Sequence, residues 1–579
     1  MEFDYQIRDI EGFLLSPQQK HLWRLQRQDL NQPYGVQCKV LVTGLLDNAI
    51  LKLAIEQVID RHEILRTRFR GLTAMDFPLQ VIAETGTAWE FEEHDLGELT
   101  AAEQSTQEGA IWEQVTQLAC SPEQGPLMKV WLVTLRPDRH VLFVKLSVMY
   151  ADAASLDNFI RDLSRCYECS RQGTTLNHRP VQYADAAQVQ NELLENTAGR
   201  KYWTTQDLAS VRTVRLPLDL DNGTGFTPRS LNVKLSSEVV EGITLVANRH
   251  GTSPFVLLLA CWQILLWRLS AQTEIVVGTD FDGRTYEGLE EAMGFFARSL
   301  PIKSEFQGEM RFVEVLEALK QKTAETNEFQ EYFDPESWTE VADNELSTPD
   351  VFGFRFSYRQ APSAFGGADN EFRILQRATL TERFRVKLSC VHTDESLAAE
   401  FQYDASVPGS QDIERLAGEF VAIVTSVIDD PNASIESLNI LSQTEREQLL
   451  AGWNATDTNE HGLRCIHHLF EDQVRRRAEN IAVVFEEEQL TYAELDARAN
   501  QLARYLQKLG VGPERTVGIC LERSVEMIVA LLGIFKAGAA YLPLEPTAPT
   551  ERLKFMLEDS RAQVLLTHSQ LLEVLRQAF

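Results

Sequence analysis

Three side chains able to do chemistry lie close together between an apolar run and a predicted helix. Ser147, Tyr150 and Asp152 bring two hydroxyls and a carboxylate to a stretch of six residues. Such groups could hold a water molecule or orient an amine, and a loop held on rigid elements is a common place for chemistry. If a strand continues to residue 150, side-chain alternation puts Val148 and Tyr150 on one face, and Tyr150 becomes the better candidate to face a pocket. Val148 can neither donate nor accept a proton.

The elements that must position these side chains follow from hydrophobic periodicity. Residues 130–135 and 140–148 form two β-rich runs joined by a turn, and a helix is predicted over 155–167. Another helix is predicted to begin at Ser16, as its N-cap, with Pro17 in the first turn. The three polar residues are therefore predicted to connect a strand to a helix.

The composition is that of a folded, acidic protein. The chain has 579 residues, 55 basic against 85 acidic, and a formal net charge of −30. A surface this acidic repels phosphate backbones and anionic lipids, so nucleic acid and membrane surfaces are not expected as partners. The first residues lack the basic and apolar regions of a signal peptide, and no run of 18 apolar residues occurs.

The cysteines and histidines give no sign of a metal or redox site. The eight Cys residues are scattered, and the one close pair, Cys166 and Cys169, has no second pair at zinc-site spacing. They are interpreted as reduced thiols of a cytoplasmic protein. The pair His467-His468 is not followed by an Asp at catalytic spacing, so no catalytic role is expected for it.

The chain is long enough for several cores and is divided into four segments. Residues 1–180 and 181–437 are predicted to form two lobes of mixed helix and sheet. A polar stretch, 438–462, is the predicted linker. In residues 463–579 strands and helices alternate, as in a doubly wound α/β fold.

Motifs along most of the chain resemble the condensation domains of nonribosomal peptide synthetases, in the order of that family. The matching segments are residues 16–19 with 22–23, 61–69, 181–185, 277–284 and 294–301. The last segment resembles the start of an adenylation domain, at residues 490–495 and 536–544. The chain stops before a Ser/Thr/Gly-rich phosphate-binding loop, so this segment alone is not expected to adenylate a substrate.

The resemblance implies a fold and a set of partners. The fold would be two lobes, each like chloramphenicol acetyltransferase, in a V-shaped pseudodimer, followed by a partial doubly wound α/β adenylation subdomain. Donor and acceptor peptidyl carrier proteins would deliver aminoacyl or acyl thioesters on phosphopantetheine arms. No tightly bound cofactor and no metal are expected, and the rest of the adenylation domain would be a further partner.

At its core motif the chain departs from the family. Condensation domains carry His-His, three residues and Asp-Gly, whereas this chain has Ser147, Val148, three residues, Asp152 and Ala153. Both histidines are absent, and general acid or base catalysis contributes roughly 10² to 10⁴-fold. Ser147, Tyr150 and Asp152 are the remaining catalytic candidates, but Tyr150 could instead only fill the space of the missing His.

The family also implies a structural role for Asp152, whose carboxylate pairs with an arginine. Arg61 and Arg66 are the hypothesised partners. Arg298 stands where the family usually has Asn, and it could place a cation near the tunnel between the lobes.

Three functions remain open at this point. The first is a condensation-like domain that is catalytically impaired or repurposed. The second is a recruitment platform for a tailoring enzyme, like the X domains and interface domains that lack the histidine pair. The third is a divergent enzyme that forms amides by proximity or forms heterocycles, since Asp152 and Ser155 match part of the heterocyclisation motif.

Overall fold

The computed structural model describes residues 12–28, 32–71, 75–84, 89–120, 122, 127–206, 214, 216, 226–334, 352–367, 369–394, 396–406, 409–456 and 465–576. The chain divides into two compact units, Met1–Leu449 and Leu450–Phe579. Of the predicted linker 438–462, residues 457–462 lie outside the described residues.

A six-stranded sheet forms the framework of the first lobe, and it is called here the N-terminal sheet. In spatial order its strands are Ala364–Gly366, Glu371–Leu380, Gly35–Thr43, Arg139–Leu146, Met128–Arg136 and Glu90–Asp95. The first two of these strands lie within the predicted second lobe, 181–437, yet they extend the sheet of the first. They do so because Glu371–Leu380 pairs antiparallel with Gly35–Thr43.

A second six-stranded sheet forms the framework of the other lobe, and it is called here the C-terminal sheet. In spatial order its strands are Arg298–Glu305, Glu274–Phe281, Phe354–Gln360, Val386–His392, Leu397–Asp404 and Pro228–Lys234. The helix Pro254–Ser270 packs into this core with apolar residues on all sides, as expected of a fully enclosed helix. A small sheet of Phe13–Leu14, Leu79–Ile82 and Thr67–Arg70 completes the strands described in the first unit.

Helices cover the two large sheets. The α-helices described in the first unit are Pro17–Gln28, Asn48–Arg61, Ala101–Gln117, Ala153–Arg171, Tyr183–Leu194, Thr197–Thr205, Ser237–Arg249, Pro254–Ser270, Phe312–Glu328, Ser410–Asp429 and Gln443–Glu447. Short 3₁₀ turns occupy Glu63–Arg66 and Gln330–Tyr332, and a π-helical turn occupies Gln448–Gly452.

The second unit is a smaller α/β structure. Its central strands, Ala540–Pro543, Thr516–Cys520 and Val564–Thr567, are parallel, and Ile481–Phe485 pairs with Glu488–Thr491 as a hairpin. Its helices are Ile466–Arg477, Tyr492–Lys508, Val525–Ala537, Thr550–Ser560 and Leu572–Arg576, with a 3₁₀ turn at Ser569–Leu571. The alternation predicted for this segment is confirmed.

Most elements predicted around the candidate residues are confirmed. The helix expected after Ser16 spans Pro17–Gln28, and the two β-rich runs are Met128–Arg136 and Arg139–Leu146. The predicted helix over 155–167 spans Ala153–Arg171. Among the described residues no single helix is long and apolar enough to cross a membrane; Ser237–Arg249 and Pro254–Ser270 pass that test only as a pair bent by 104°.

Candidate functional site

Residues 147–152, called here the motif loop, connect the N-terminal sheet to a long helix. The strand Arg139–Leu146 ends beside the first residues of its two antiparallel partner strands, since Leu146 is opposite both Val36 and Met128. The chain then turns, because the amide of Tyr150 donates to the carbonyl of Ser147 at 2.9 Å. Asp152 caps the helix Ala153–Arg171 by accepting from the Ser155 amide at 2.8 Å.

The turn overrides the alternation that favoured Tyr150 as a pocket residue. Its hydroxyl donates to the backbone carbonyl of Thr67 at 2.5 Å, and its ring packs beside Phe69, with ring centroids 6.2 Å apart. Burial raises the pKa of this phenol, so it stays protonated at neutral pH. The expectation that Tyr150 faces the tunnel is therefore wrong, because the strand ends at Leu146 and the side chain is enclosed in the first lobe.

The candidate Ser147 and its neighbour Val148 are also enclosed. Val148 is 0% exposed and belongs to the apolar core of the first lobe. Ser147 is also fully buried, and its hydroxyl oxygen accepts from the amide of Met149 at 3.3 Å. Neither side chain lines the cavity between the two large sheets.

Asp152 is held by six hydrogen bonds. Its Oδ1 accepts from the amide and hydroxyl of Ser155, each at 2.8 Å, and from Nη2 of Arg284 at 2.9 Å. Its Oδ2 accepts from Nη1 of Arg284 at 2.9 Å and from the amides of Phe296 and Ala297, each at 3.0 Å. Burial alone would raise the pKa of this carboxyl, but the Arg284 charge and the hydrogen bonds outweigh burial and lower it.

The arginine partner of Asp152 is thus Arg284, and the hypothesis of Arg61 or Arg66 is wrong. Arg284 comes from the opposite lobe, three residues after the strand Glu274–Phe281, and its guanidinium also lies over the Phe296 ring, 4.5 Å from the centroid. The chain reaches this position through Gly283, whose φ of +71° favours glycine. A Cβ there would lie 2.0 Å from the Phe296 carbonyl oxygen.

Arg61 and Arg66 have other partners within the first lobe. Arg61 Nε lies 3.3 Å from Asp162 Oδ2, and the same oxygen is 2.9 Å from His62 Nε2. Arg66 Nη2 donates to Glu63 at 3.2 Å, and its Nη1 donates to the carbonyl of Ala83. Each arginine is thus paired with a carboxylate other than Asp152.

A cavity of about 440 Å³ lies between the two large sheets, and Asp152 is at its wall. Aromatic side chains form part of the lining, at Phe281, Phe295, Tyr358 and Phe365. Six cationic side chains also line it: Arg161, Arg298, Arg355, Arg359, Arg377 and Lys387. Six carboxylates share this lining: Asp152, Asp157, Asp280, Asp282, Glu382 and Glu400. The numbers of cationic and anionic side chains are equal, so the cavity is polar without an excess of either charge.

Most of these cations are neutralised by carboxylates of the same wall. Asp157 accepts from Arg359 and from Arg377, the latter at 3.0 Å from Nη2 to Oδ1. Asp280 accepts from Arg355 Nη2 at 3.2 Å and from Lys387 at 2.7 Å. Arg355 also donates to Glu382. These buried pairs hold the two lobes' walls in place, and removing one partner would leave an uncompensated charge.

Sequence reasoning missed most of this network. Arg284 lies inside the family-like segment 277–284, but no local pattern links it to Asp152, since 132 residues separate them. Arg355 and Arg359 carry a weak signal, because polar residues alternate with aromatic ones in most of the strand Phe354–Gln360, with Ser357 between the two arginines. His467 and His468 lie in the second unit on the helix Ile466–Arg477, next to Cys465.

Comparison with known proteins agrees with this architecture. Residues 10–450 match the family model for the condensation domain, and residues 470–578 match that for AMP-binding enzymes. Gramicidin S synthase 2 of Brevibacillus brevis is 31% identical over 551 residues, which are 94% of this chain and 12% of that protein. The chain thus spans only a small part of the length of this relative.

Solved structures show the same fold. A four-domain nonribosomal peptide synthetase bound to AMP and glycine has a TM-score of 0.73 at 20% identity, over 97% of this chain and 44% of that one. The X-domain in complex with OxyB from teicoplanin biosynthesis has a TM-score of 0.62 at 21% identity, over 74% of this chain and 96% of that one. The fold and the site define a two-lobed α/β protein of the chloramphenicol acetyltransferase type, as predicted. The chain belongs to the condensation-domain family of nonribosomal peptide synthetases, and its last segment is the start of an adenylation domain.

Proposed function

We propose that the first unit binds carrier-linked aminoacyl or acyl thioesters in its cavity but does not form amides through general-base catalysis by the motif loop. The observation that carries this proposal is the state of that loop. Val148 is apolar and enclosed, Tyr150 is bonded to a backbone carbonyl, and Asp152 has both carboxylate oxygens fully occupied. No side chain of the motif loop is left to take a proton from an amine.

The cavity supports retention of substrate binding. A volume of about 440 Å³ with aromatic and cationic walls suits an acyl group and part of a phosphopantetheine arm. Donor and acceptor peptidyl carrier proteins are therefore proposed as partners, and the rest of an adenylation domain is proposed to complete the second unit. All eight cysteines are free, which supports work in a reducing compartment such as the cytoplasm.

Recruitment of a tailoring enzyme is the second candidate. It is favoured by the likeness to an X-domain whose solved complex contains OxyB. A domain with this role would use its outer surface and would need no base in the motif loop. Heterocyclisation finds less support, because the single proton of the Ser155 hydroxyl is shared between two acceptors, Asp152 Oδ1 at 2.8 Å and the Gly294 carbonyl at 2.7 Å.

The test is a condensation assay with the 579-residue chain. Donor and acceptor carrier proteins loaded with a panel of amino acids are incubated with wild type and Val148→His, and carrier-bound product is detected by mass spectrometry. Aminoacyl-pantetheine binding is measured in parallel by calorimetry. We expect binding by wild type without dipeptide product.

A condensation domain that retains both histidines serves as the active reference. Val148 is outside the cavity lining, so Val148→His is also expected to bind without forming product. Product from Val148→His alone would show that residue 148 can reach the substrate, and it would support the proposal because only the base would then be missing in wild type. Product from wild type at a rate near that of the reference would overturn it. Lack of product together with lack of binding would overturn the substrate-binding role and leave recruitment, which a pull-down with a tailoring oxygenase then tests.

A further inference from the structure

Arg298 lies between two cavities of the first unit. It begins the strand Arg298–Glu305, opposite Phe281, and only 3% of its surface is exposed. It lines the 440 Å³ cavity and also a smaller pocket that reaches the helix Pro17–Gln28 at His21. Its side chain is therefore enclosed by protein but borders open space on two sides.

The hydrogen bonding of Arg298 is incomplete. Nη1 donates to the backbone carbonyl of Gln330 at 3.2 Å, which fixes the guanidinium plane. Nε and Nη2 are buried without a hydrogen-bond partner. The carboxylate of Glu331 comes no nearer than 3.9 Å to Nη2, and its other oxygen accepts from the hydroxyl of Thr285 at 2.7 Å. Buried polar groups are rarely left unpaired, so these two N–H groups point to a missing ligand.

The Nε atoms of Arg161 and Arg355 are also buried without a hydrogen-bond partner, but Arg298 is the cation of this lining with two such nitrogens. Arg355, Arg359, Arg377 and Lys387 each have a carboxylate within hydrogen-bond distance. Arg161 has no carboxylate partner among the described residues, but it is only half-buried and donates to Asn158. Arg298 is thus the deeply buried cation of the described lining whose charge is least compensated.

We propose that Arg298 is a subsite for a carboxylate carried by the acyl or aminoacyl group of a carrier-linked substrate. This inference rests on the proposed binding function of the cavity. Nε and Nη2 form one edge of the guanidinium, and that edge donates two parallel hydrogen bonds to the two oxygens of a carboxylate. Phe281 and Phe295 line the same cavity, and their apolar side chains lower the local dielectric and strengthen such a pair.

A phosphate group could use the same edge, so the probes must separate the two anions. Three ligands are compared by calorimetry on the full chain: an amide-linked glutaryl-pantetheine analogue, its neutral terminal-amide counterpart, and the neutral compound with a 4′-phosphate. We expect wild type to bind the glutaryl compound at least about tenfold more tightly than the neutral one. The 4′-phosphate is expected to change affinity less than threefold.

Variants of Arg298 and its neighbour test the assignment. Arg298→Gln should remove the preference for the carboxylate, and Arg298→Lys should keep part of it, because one charge remains but the paired donors are lost. Glu331→Gln should strengthen carboxylate binding about threefold or more, since it removes a competing anion. Arg249→Gln removes one exposed cation outside the cavity lining and should change nothing.

The outcomes separate this inference from the proposed function. Equal affinity of wild type for the glutaryl and neutral compounds would overturn the carboxylate subsite but leave the substrate-binding role intact. Failure of all three ligands to bind would overturn both. A gain that appears only with the 4′-phosphate would reassign Arg298 to the arm of the carrier protein.

Discussion

Asp152 and Arg298 are two buried charges at one cavity wall, but their surroundings differ. Asp152 makes six hydrogen bonds, two of them to a guanidinium from the opposite lobe. Arg298 makes one hydrogen bond and has its nearest carboxylate oxygen at 3.9 Å. The first charge is fully compensated inside the protein, and the second is not.

The different hydrogen bonding of Asp152 and Arg298 suits the first to stabilising the fold and the second to binding a ligand. A buried charge whose hydrogen bonds are all made by its own protein has no capacity left for a ligand, and the hydrogen bonds of Asp152 to Arg284 join the two lobes. A buried cation with two free donors costs the fold some stability, and that cost is recovered when an anion binds. We therefore propose that the motif loop stabilises the fold and that the Arg298 end of the cavity selects the substrate.

The largest predicted effect comes from breaking the Asp152 pair. Arg284→Met leaves the Asp152 carboxylate buried without its cation, and the free energy of unfolding at pH 7 should fall by about 3 to 5 kcal/mol. Arg298→Met removes a cation with no carboxylate within hydrogen-bond distance and should change the free energy of unfolding by about 1 kcal/mol or less. Urea unfolding followed by tryptophan fluorescence measures both, since eight of the nine Trp residues lie in the first unit.

Acid should reduce the difference in free energy of unfolding between wild type and Arg284→Met. The folded-state pKa of Asp152 is lowered, so its stabilisation is present above the ordinary pKa of 3.8 and is lost as the pH falls below it. If the difference in free energy of unfolding between the two proteins stays constant from pH 6 to pH 3, Arg284 is not the group that stabilises the ionised Asp152. Equal losses of unfolding free energy in Arg284→Met and Arg298→Met would show that Asp152 and Arg298 are compensated to the same extent.

A buried lysine near the motif loop tests whether hydrogen bonds alone can replace a counter-charge. Lys145 donates to the Pro33 carbonyl at 3.1 Å and to Gln37 at 3.0 Å, and burial lowers its pKa from 10.5 to about 8. Between these pH values the unfolded chain binds more protons, so stability should rise with pH. The rise should be about 2 to 3 kcal/mol in wild type relative to Lys145→Met.

The measurement is the difference in unfolding free energy between the two proteins at pH 7.5 and pH 10. Both proteins carry Cys120→Ser, because the Cys120 thiol interacts with Lys145 and titrates in the same pH range. Groups that do not interact with Lys145 titrate alike in both proteins and cancel in the difference. If the two proteins keep the same pH dependence, Lys145 is compensated as well as Asp152 is, and hydrogen bonds alone are sufficient.

The smallest effect is expected at Tyr150. Tyr150→Phe removes one hydrogen bond to the Thr67 carbonyl and should lower the free energy of unfolding by about 1 kcal/mol. Binding of aminoacyl-pantetheine should not change, because the hydroxyl does not reach the cavity. A large change in binding with unchanged stability would return Tyr150 to the functional site.

Local patterns were sufficient to predict most elements of the fold. The helix Pro17–Gln28 was predicted from its cap and first-turn proline, and the hairpin of Met128–Arg136 with Arg139–Leu146 from β-rich runs around a turn. Periodicity also predicted the alternating strands and helices of the second unit. These features depend on residues a few positions apart, which is why one sequence is enough to find them.

Pairings between distant segments could not be predicted in this way. The sequence suggests Arg61 or Arg66 as the arginine that pairs with Asp152, yet the partner in the structure is Arg284, which is 132 residues from Asp152 in the chain. Likewise Glu371–Leu380 was assigned to the second lobe but lies in the N-terminal sheet. Both depend on how the lobes close around the cavity.

The sequence by itself determined that the family's two catalytic histidines are absent and that Val148 cannot transfer a proton, because those are properties of residue types. It also determined which segments become helix or strand, because caps and periodicity act locally. Only the tertiary structure decided that Tyr150 faces the core, that Asp152 is saturated by Arg284, and that Arg298 keeps two free donors. The physical reason is that compensation of a buried charge depends on every group within a few ångströms, and most of those groups are far apart in the chain.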